Sequence, residues 1–157
     1  METNTENHCS LKRKKTEIIF NGEWFRKMSY EGVLKLNARV TLQQMLQRED
    51  FKERVSKGTE VRLHEIQYPI MQGWDSVELR ADVEIGGTDR LFNMLVGRDL
   101  QKEEGQSQQS VICMPLLEGL DGVKKLQESS YTRKVTKQVI TKLVDSYQKS
   151  KKRIIFL

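Results

Sequence analysis

A helical segment that leads into a short strand and then into two adjacent glycines most constrains how this chain can fold. Tyr68, Gln72 and Asp75 are spaced at i, i+4 and i+7, so they project from nearly one side of a helix predicted over residues 63–81. The same segment carries four apolar residues that can pack on a core: Ile66, Ile70, Val77 and Leu79. We therefore expect this helix to line a pocket with its polar side.

A buried strand is predicted at residues 83–85, directly before Gly86 and Gly87. Paired glycines at the end of a strand let the backbone approach a ligand closely. The acidic side chain of Asp89 is suited to binding the hydroxyls of a ribose. A second long helix is expected to follow, with Thr88 or Asp89 as its N-cap.

The remaining patterns predict short helices upstream and one further strand downstream. Apolar spacing indicates two short helices within residues 23–36 that are separated near Ser29, and further helices over 41–47 and 50–55. The apolar run at residues 111–116 predicts a second buried strand. Helices that alternate with strands favour an α/β fold with parallel strands.

The composition is that of a single domain without a membrane segment. At 157 residues and 37% hydrophobic content, the chain can form one core. No stretch approaches the roughly 18 apolar residues of a membrane span, and the polar first 16 residues do not form a secretory signal. Cys9 and Cys113 lack metal-ligand spacing, which favours a reducing cytoplasm. Cys113, in an apolar run, is expected to be a buried core thiol.

Positive charge is concentrated in the C-terminal segment. Residues 130–157 contain eight basic residues and one acidic residue, a net charge of +7, whereas the whole chain carries +5. Apolar residues within 135–147 follow one helical face, so the segment is a candidate amphipathic basic helix. Such a segment is most often solvated or without stable structure; the alternative is that it binds RNA or an acidic partner.

Several segments, in the same order, resemble the second half of the catalytic domain of bacterial tyrosyl-tRNA synthetases. They are Tyr68-Pro-Ile-Met-Gln-Gly-Trp-Asp75, Gly86-Gly-Thr-Asp89, Leu95-Val-Gly-Arg-Asp-Leu-Gln-Lys102 and Met114-Pro-Leu-Leu-Glu-Gly-Leu-Asp-Gly-Val123. Three upstream segments resemble the family's connective region: Asn21-Gly-Glu-Trp-Phe25, residues 41–51 and His64-Glu-Ile66.

The resemblance, together with the composition of the two ends, divides the chain into three regions. Residues 18–125 would form part of the class I synthetase nucleotide-binding fold, its second, Rossmann-like α/β half with the helical connective segment. Residues 1–17 would be a disordered lead, and residues 126–157 a basic amphipathic tail unrelated to the family.

The resemblance also implies roles for individual residues. Tyr68 and Gln72 would hold the amino group of tyrosine, Asp75 would accept its phenolic O–H, and Glu84 would lie beside the substrate. On the nucleotide side, Gly86 and Gly87 at the end of the strand would lie under the ribose and adenine. Asp89 would bind the ribose hydroxyls. Without the other motifs, the Tyr/Gln/Asp spacing would more simply indicate a helix with a solvated polar stripe.

The sequence departs from the family pattern at three places. Arg90 stands where the family usually has a glutamine that helps to place the substrate. Neither His8 nor His64 belongs to a His-x-Gly-His signature. At the mobile phosphate loop, Lys125 is kept, but Glu128 replaces the second, phosphate-facing lysine.

The expected function is that of a tyrosine–tRNA ligase by family, with this chain inactive on its own because it lacks both phosphate-handling signatures. The implied ligands are tyrosine, tRNA and ATP with Mg²⁺, without a dedicated metal site. A homodimer through residues 23–65 and a cytoplasmic location are also expected. Two alternatives remain: a non-enzymatic RNA- or protein-binding remnant, and one half of a split synthetase.

Overall fold

The structure is a computed structural model that describes residues 17–115 and 153–156. Its α-helices are α1 (Gly22–Phe25), α2 (Tyr30–Asn37), α3 (Leu42–Met45), α4 (Glu49–Ser56), α5 (Leu63–Glu78) and α6 (Leu91–Glu103). Its strands are β1 (Val83–Gly87), β2 (Ser110–Met114) and β3 (Ile154–Phe156). No helix in these described ranges is long and apolar enough to cross a membrane.

Side-chain caps set the starts of two short N-terminal helices, α2 and α3. Ser29 begins α2, where its hydroxyl accepts a hydrogen bond from the Gly32 amide at 3.1 Å. Thr41 begins α3 with a reciprocal arrangement in which each of Thr41 and Gln44 accepts the other's backbone N–H. The chain leaves α4 through Gly58, whose φ of +67° favours glycine.

Two glycines allow α5 and α6 to lie in close contact. A Cβ on Gly73 would meet the backbone nitrogen of Gly97 at 2.9 Å, and a Cβ on Gly97 would meet Ser76 Oγ at 2.8 Å. The buried core beside this contact is apolar and comprises Leu36, Met45, Ile70, Val77, Val96 and Leu100. The apolar side of α5 therefore packs as predicted.

The three strands form a parallel sheet with the order β2-β1-β3. Val83 of β1 is in register with Ser110 of β2 on one side and with Ile154 of β3 on the other. The prediction of an α/β fold with parallel strands is confirmed. The strand β3 was not evident in the sequence, because its three apolar residues follow a long basic segment that is typical of a solvated tail.

Two local predictions are wrong. Thr88 and Asp89 do not cap α6: residues Thr88–Arg90 form a 3₁₀ turn, and α6 begins at Leu91 without a side-chain cap. The reason is that β1 stays paired with β2 through Gly87, so the chain needs a tight turn before the helix. Cys113 is only partly buried, because β2 is an outer strand among the three that the described residues form.

Three predictions fall on segments outside the described residues. These are the disordered lead, which apart from Glu17 comprises residues 1–16, the basic amphipathic helix within 135–147, and the degenerate phosphate loop with Lys125 and Glu128. They stay predictions.

Candidate functional site

A cavity of about 280 Å³ opens along the polar side of α5. It is lined by Asn21, Tyr68, Met71, Gln72, Asp75 and Arg90. The predicted trio of Tyr68, Gln72 and Asp75 is thus brought together on one wall. The i, i+4, i+7 spacing places them there, since each step returns to the same side of the helix.

Asp75 is a buried carboxyl held by the N-terminal segment of the chain. Only 8% of the residue is exposed. Trp24 Nε1 donates a hydrogen bond to Oδ1 at 3.0 Å, and Asn21 Nδ2 donates one to Oδ2 at 3.4 Å. Burial raises the pKa of Asp75 to about 6, an effect that these two hydrogen bonds only partly offset. This carboxyl can accept a hydrogen bond from a ligand hydroxyl in the cavity.

Asn21 and Trp24 were assigned to the connective segment, and their part in the site was not predicted. Both residues come from the Asn21-Gly-Glu-Trp-Phe25 segment, more than 50 positions from Asp75. The only indication in the sequence was that a side-chain amide and an indole, both hydrogen-bond donors, lie three positions apart in that segment. Their partner becomes evident only in the folded chain.

Arg90 dominates another part of the cavity wall. Its Nη1 donates hydrogen bonds to Tyr68 Oη at 2.6 Å and to Gln72 Oε1 at 3.2 Å. The guanidinium carbon lies 5.7 Å from the centroid of the Tyr68 ring, within cation–π range. Asn93 Nδ2 also donates to Gln72 Oε1, at 2.8 Å. Because both neighbours are donors, the Gln72 oxygen faces them, and the amide orientation is defined.

Glu84 lies outside the cavity lining. It is fully buried, and its Oε2 accepts hydrogen bonds from Ser76 Oγ at 3.0 Å and from Gln109 Nε2. Burial raises the pKa of Glu84, while the hydrogen bonds from Ser76 and Gln109 oppose the shift. Since Glu84 does not line the cavity, its direct contact with tyrosine stays a prediction.

The residues assigned to the nucleotide lie at the carboxyl end of β1. Gly86 is buried against α6: a Cβ there would meet Met94 Sδ at 3.2 Å, so close packing also accounts for this glycine. Gly87 is half-buried and Asp89 is exposed in the 3₁₀ turn. None of the three lines the cavity, and their roles with ribose and adenine stay predictions. Residues 17–115 and 153–156 contain no cluster of three acidic, cysteine or histidine side chains able to hold a metal ion.

Curated relatives match most of the chain. Over 115 residues it is 59% identical to the tyrosine–tRNA ligase of Idiomarina loihiensis, a match that covers 73% of this chain. Over 119 residues it is 55% identical to the tyrosine–tRNA ligase of Burkholderia thailandensis, covering 76% of the chain. The chain spans 29% of the length of each relative. The resemblance to bacterial tyrosyl-tRNA synthetases is confirmed.

Solved structures share the fold. A C-terminally truncated mitochondrial tyrosyl-tRNA synthetase from Coccidioides posadasii matches with a TM-score of 0.56 and 26% identity, over 68% of this chain and 34% of that one. The small parallel sheet with its helices is therefore part of a Rossmann-like α/β fold of a class I synthetase. The family model described as tRNA synthetases class I (W and Y) matches residues 2–154. This chain belongs to that family.

Proposed function

We propose that this chain carries the tyrosine-binding side of a tyrosine–tRNA ligase, with Asp75 as the acceptor of the phenolic hydroxyl. The relatives named above favour this activity, and one observation in the site carries the assignment. Asp75 is buried, oriented by Trp24 and Asn21, and still lines the cavity. A buried acceptor leaves an unpaired polar group when phenylalanine replaces tyrosine. Tyrosine-specific synthetases are the established example of that discrimination.

In the ligase reaction, the carboxylate of tyrosine attacks the α-phosphate of ATP, and the tyrosyl group then passes to tRNA. The protein contributes by positioning the reactants and stabilising the developing charge. Mg²⁺ would enter with the ATP phosphates as part of the substrate. The chain carries no His-x-Gly-His signature and has Glu128 where a phosphate-facing lysine is expected. We therefore propose that this chain alone does not activate tyrosine, and that a split enzyme would need a second chain to supply these groups.

The connective segment, residues 23–65, has exposed apolar side chains that can support self-association. Tyr30, Leu34, Leu42 and Leu63 are each at least half exposed, although all four are large and apolar. Exposed apolar groups of this kind are typical of interaction surfaces. We propose a homodimer through residues 23–65 and, from the cysteine usage, a cytoplasmic location.

The test compares the binding of tyrosine and phenylalanine by calorimetry in the full chain. Both ligands carry the same amino and carboxyl groups, so the ratio of their affinities isolates the hydroxyl. We expect at least a tenfold preference for tyrosine, lost in Asp75→Asn because the carboxylate acceptor is removed.

The exposed Asp99 on α6 supplies the matched control, and Asp99→Asn should keep the preference. Tyrosine-dependent exchange between ATP and pyrophosphate should stay at background in all three proteins. Equal affinity for the two amino acids would refute the assignment of Asp75. Exchange that is well above background and lost in Asp75→Ala would refute the proposed inactivity.

A further inference from the structure

We propose that Arg48 is a positioning residue that acts through Asn93 to orient the amide of Gln72 for the amino group of the ligand. This inference rests on the proposed function, in which Asp75 accepts the phenol of the same ligand. Arg48 is the N-cap residue of α4, Asn93 lies on α6 and Gln72 on α5. Arg48 does not line the cavity, so it would act on the ligand only through these other side chains.

Two hydrogen bonds in a row connect Arg48 to Gln72. Arg48 Nη1 donates to Asn93 Oδ1 at 3.4 Å, and Asn93 Nδ2 donates to Gln72 Oε1 at 2.8 Å. A guanidinium carries only donors, so the oxygen of Asn93 faces it and the NH₂ group of Asn93 faces Gln72. Only 2% of Asn93 and 5% of Gln72 are exposed, so water has little access to either amide. The donors of Arg48 therefore decide which way both amides point.

The side chain of Arg48 is itself held in place. Its Nε and Nη2 donate to the two carboxylate oxygens of Asp50, each at 2.9 Å, in a paired geometry that fixes the guanidinium plane. The guanidinium carbon lies 4.6 Å from the centroid of the buried Phe51 ring, within cation–π range. These contacts direct Nη1 towards Asn93.

The orientation of Gln72 decides what the cavity offers to a cation. Gln72 Oε1 also accepts from Arg90 Nη1 at 3.2 Å, and Tyr68 Oη accepts from the same nitrogen at 2.6 Å. All three residues line the cavity, so a cationic donor at its wall reaches both oxygens. An ammonium group in the place of Nη1 would donate to the same two oxygens. With the amide of Gln72 reversed, its NH₂ group would face the ammonium group, and binding would be weaker.

Tyramine and p-cresol test the inference, because they share the phenol and only tyramine carries an ammonium group. Calorimetry on the full chain at pH 7.5 should show about tenfold tighter binding of tyramine. Arg48→Met should lower this preference about fivefold, because the amides lose the donor that orients them. Removal of a positive charge would by itself favour tyramine, so an effect of charge alone has the opposite sign. Arg48→Lys should keep most of the preference, since a lysine also carries only donors.

Two further variants complete the comparison. Asn93→Leu has a similar shape and interrupts the two hydrogen bonds without a change of charge, so it should lower the preference as Arg48→Met does, and it decides the question if Arg48→Met does not fold. Arg39→Met is the matched control, because Arg39 is also ion-paired, with Glu104, and lies over the Trp74 ring, but does not line the cavity. It should leave the preference unchanged. An equal loss of affinity for both ligands in Arg48→Met and Asn93→Leu would show a purely structural role and refute the inference.

A third ligand, 2-phenylethylamine, lacks the hydroxyl and separates failure of this inference from failure of the proposed function. If tyramine binds much more tightly than 2-phenylethylamine but Arg48→Met keeps the preference over p-cresol, the assignment of Asp75 stands and the role of Arg48 is refuted. If 2-phenylethylamine binds as tightly as tyramine and the preference over p-cresol is lost in Arg48→Met, the role of Arg48 stands and the assignment of Asp75 is refuted. Equal binding of tyramine and p-cresol by the unmodified chain refutes the role of Arg48, and absence of binding by all three ligands refutes both.

Discussion

Asp75 receives hydrogen bonds from Trp24 and Asn21, yet the pKa of its carboxyl is raised to about 6. Desolvation outweighs the two hydrogen bonds because the side chain is almost completely enclosed. The Asp75 carboxyl therefore ionises near pH 6, well above the pH at which an aspartate usually ionises. Its strength as a hydrogen-bond acceptor changes in the same pH range.

Binding of a neutral phenol should follow the ionisation of Asp75. We expect the affinity for p-cresol, which carries neither an amino nor a carboxyl group, to increase between pH 5 and pH 7 and to level off above that. The ionised carboxylate is the stronger acceptor, and it forms as the pH passes about 6. In Asp75→Asn the profile should be flat and the binding weak. A pH-independent affinity in the unmodified chain would show that this carboxyl does not contact the phenol.

Glu84 should make the free energy of unfolding depend on pH. Burial raises its pKa in the folded state above 4.5, so the folded chain holds the proton more tightly than the unfolded chain. Its contribution to stability is fully present below pH 4.5 and is lost as the pH rises through the folded-state pKa. Glu84→Gln removes this ionisation, so we expect its stability relative to the unmodified chain to improve from pH 4.5 to pH 8 in urea titrations.

The exposed Glu23 on α1 supplies the control for this measurement, since Glu23→Gln should show no such trend. A constant difference between Glu84→Gln and the unmodified chain across that range would contradict the prediction.

At the level of elements, the packing of α5 on α6 depends on the absence of two Cβ atoms. Gly97 packs against Ser76 and Gln109, the same side chains that hydrogen-bond to Glu84. The helix crossing and the buried polar cluster are therefore coupled. A change at the crossing should also disturb Glu84.

Gly97→Ala should destabilise the chain despite the higher helix propensity of alanine. The new Cβ would lie 2.8 Å from Ser76 Oγ, so α6 must shift or Ser76 must rotate, at a cost of about 1–3 kcal/mol. Gly22→Ala is the matched control, since its Cβ would meet only the end of the flexible Arg26 side chain. Urea unfolding of the two variants measures the difference. Equal stabilities would mean that the crossing can relax at no cost.

For the whole molecule, β3 joins the last described residues to the centre of the sheet. Its backbone pairs with β1, and the carbonyl of Arg153 accepts hydrogen bonds from the amides of Asp82 and Val83. Removing the complete C-terminal segment would therefore remove a strand together with the basic charge. A test of RNA binding needs charge substitutions that leave residues 153–156 in place.

The alternative function of the chain is salt-sensitive RNA binding by the basic segment, residues 130–157. Replacing Lys134, Lys137, Lys142 and Lys149 by Gln should weaken tRNA binding. It should also reduce the slope of log K against log salt concentration by about 0.7–0.9 for each phosphate that the segment no longer neutralises. The control replaces four lysines outside the segment: Lys27, Lys35, Lys52 and Lys102. Unchanged affinity and slope in the first variant would show that the basic segment does not bind the tRNA.

Short-range patterns were sufficient to predict much of this chain. Ser29 and Thr41 cap their helices through bonds to residues three positions away, and Tyr68, Gln72 and Asp75 share a wall through helical spacing alone. The helix caps and the shared cavity wall both depend on spacings within one or two turns of a helix, and the local sequence determines these spacings. The order of the family motifs likewise identified the fold class, because those segments could be recognised one after another along the chain.

Other features depend on residues that are far apart in the chain. The strand β3 forms because Ile154 reaches Val83, and the site gains Trp24 because α1 packs beside α5, 51 positions away. The contact of Arg90 with Tyr68 and Gln72 is of the same kind, since a turn and a helix must first be placed side by side. These contacts were not evident in the sequence because the partners are far apart along the chain. They come within hydrogen-bonding distance only when the chain folds.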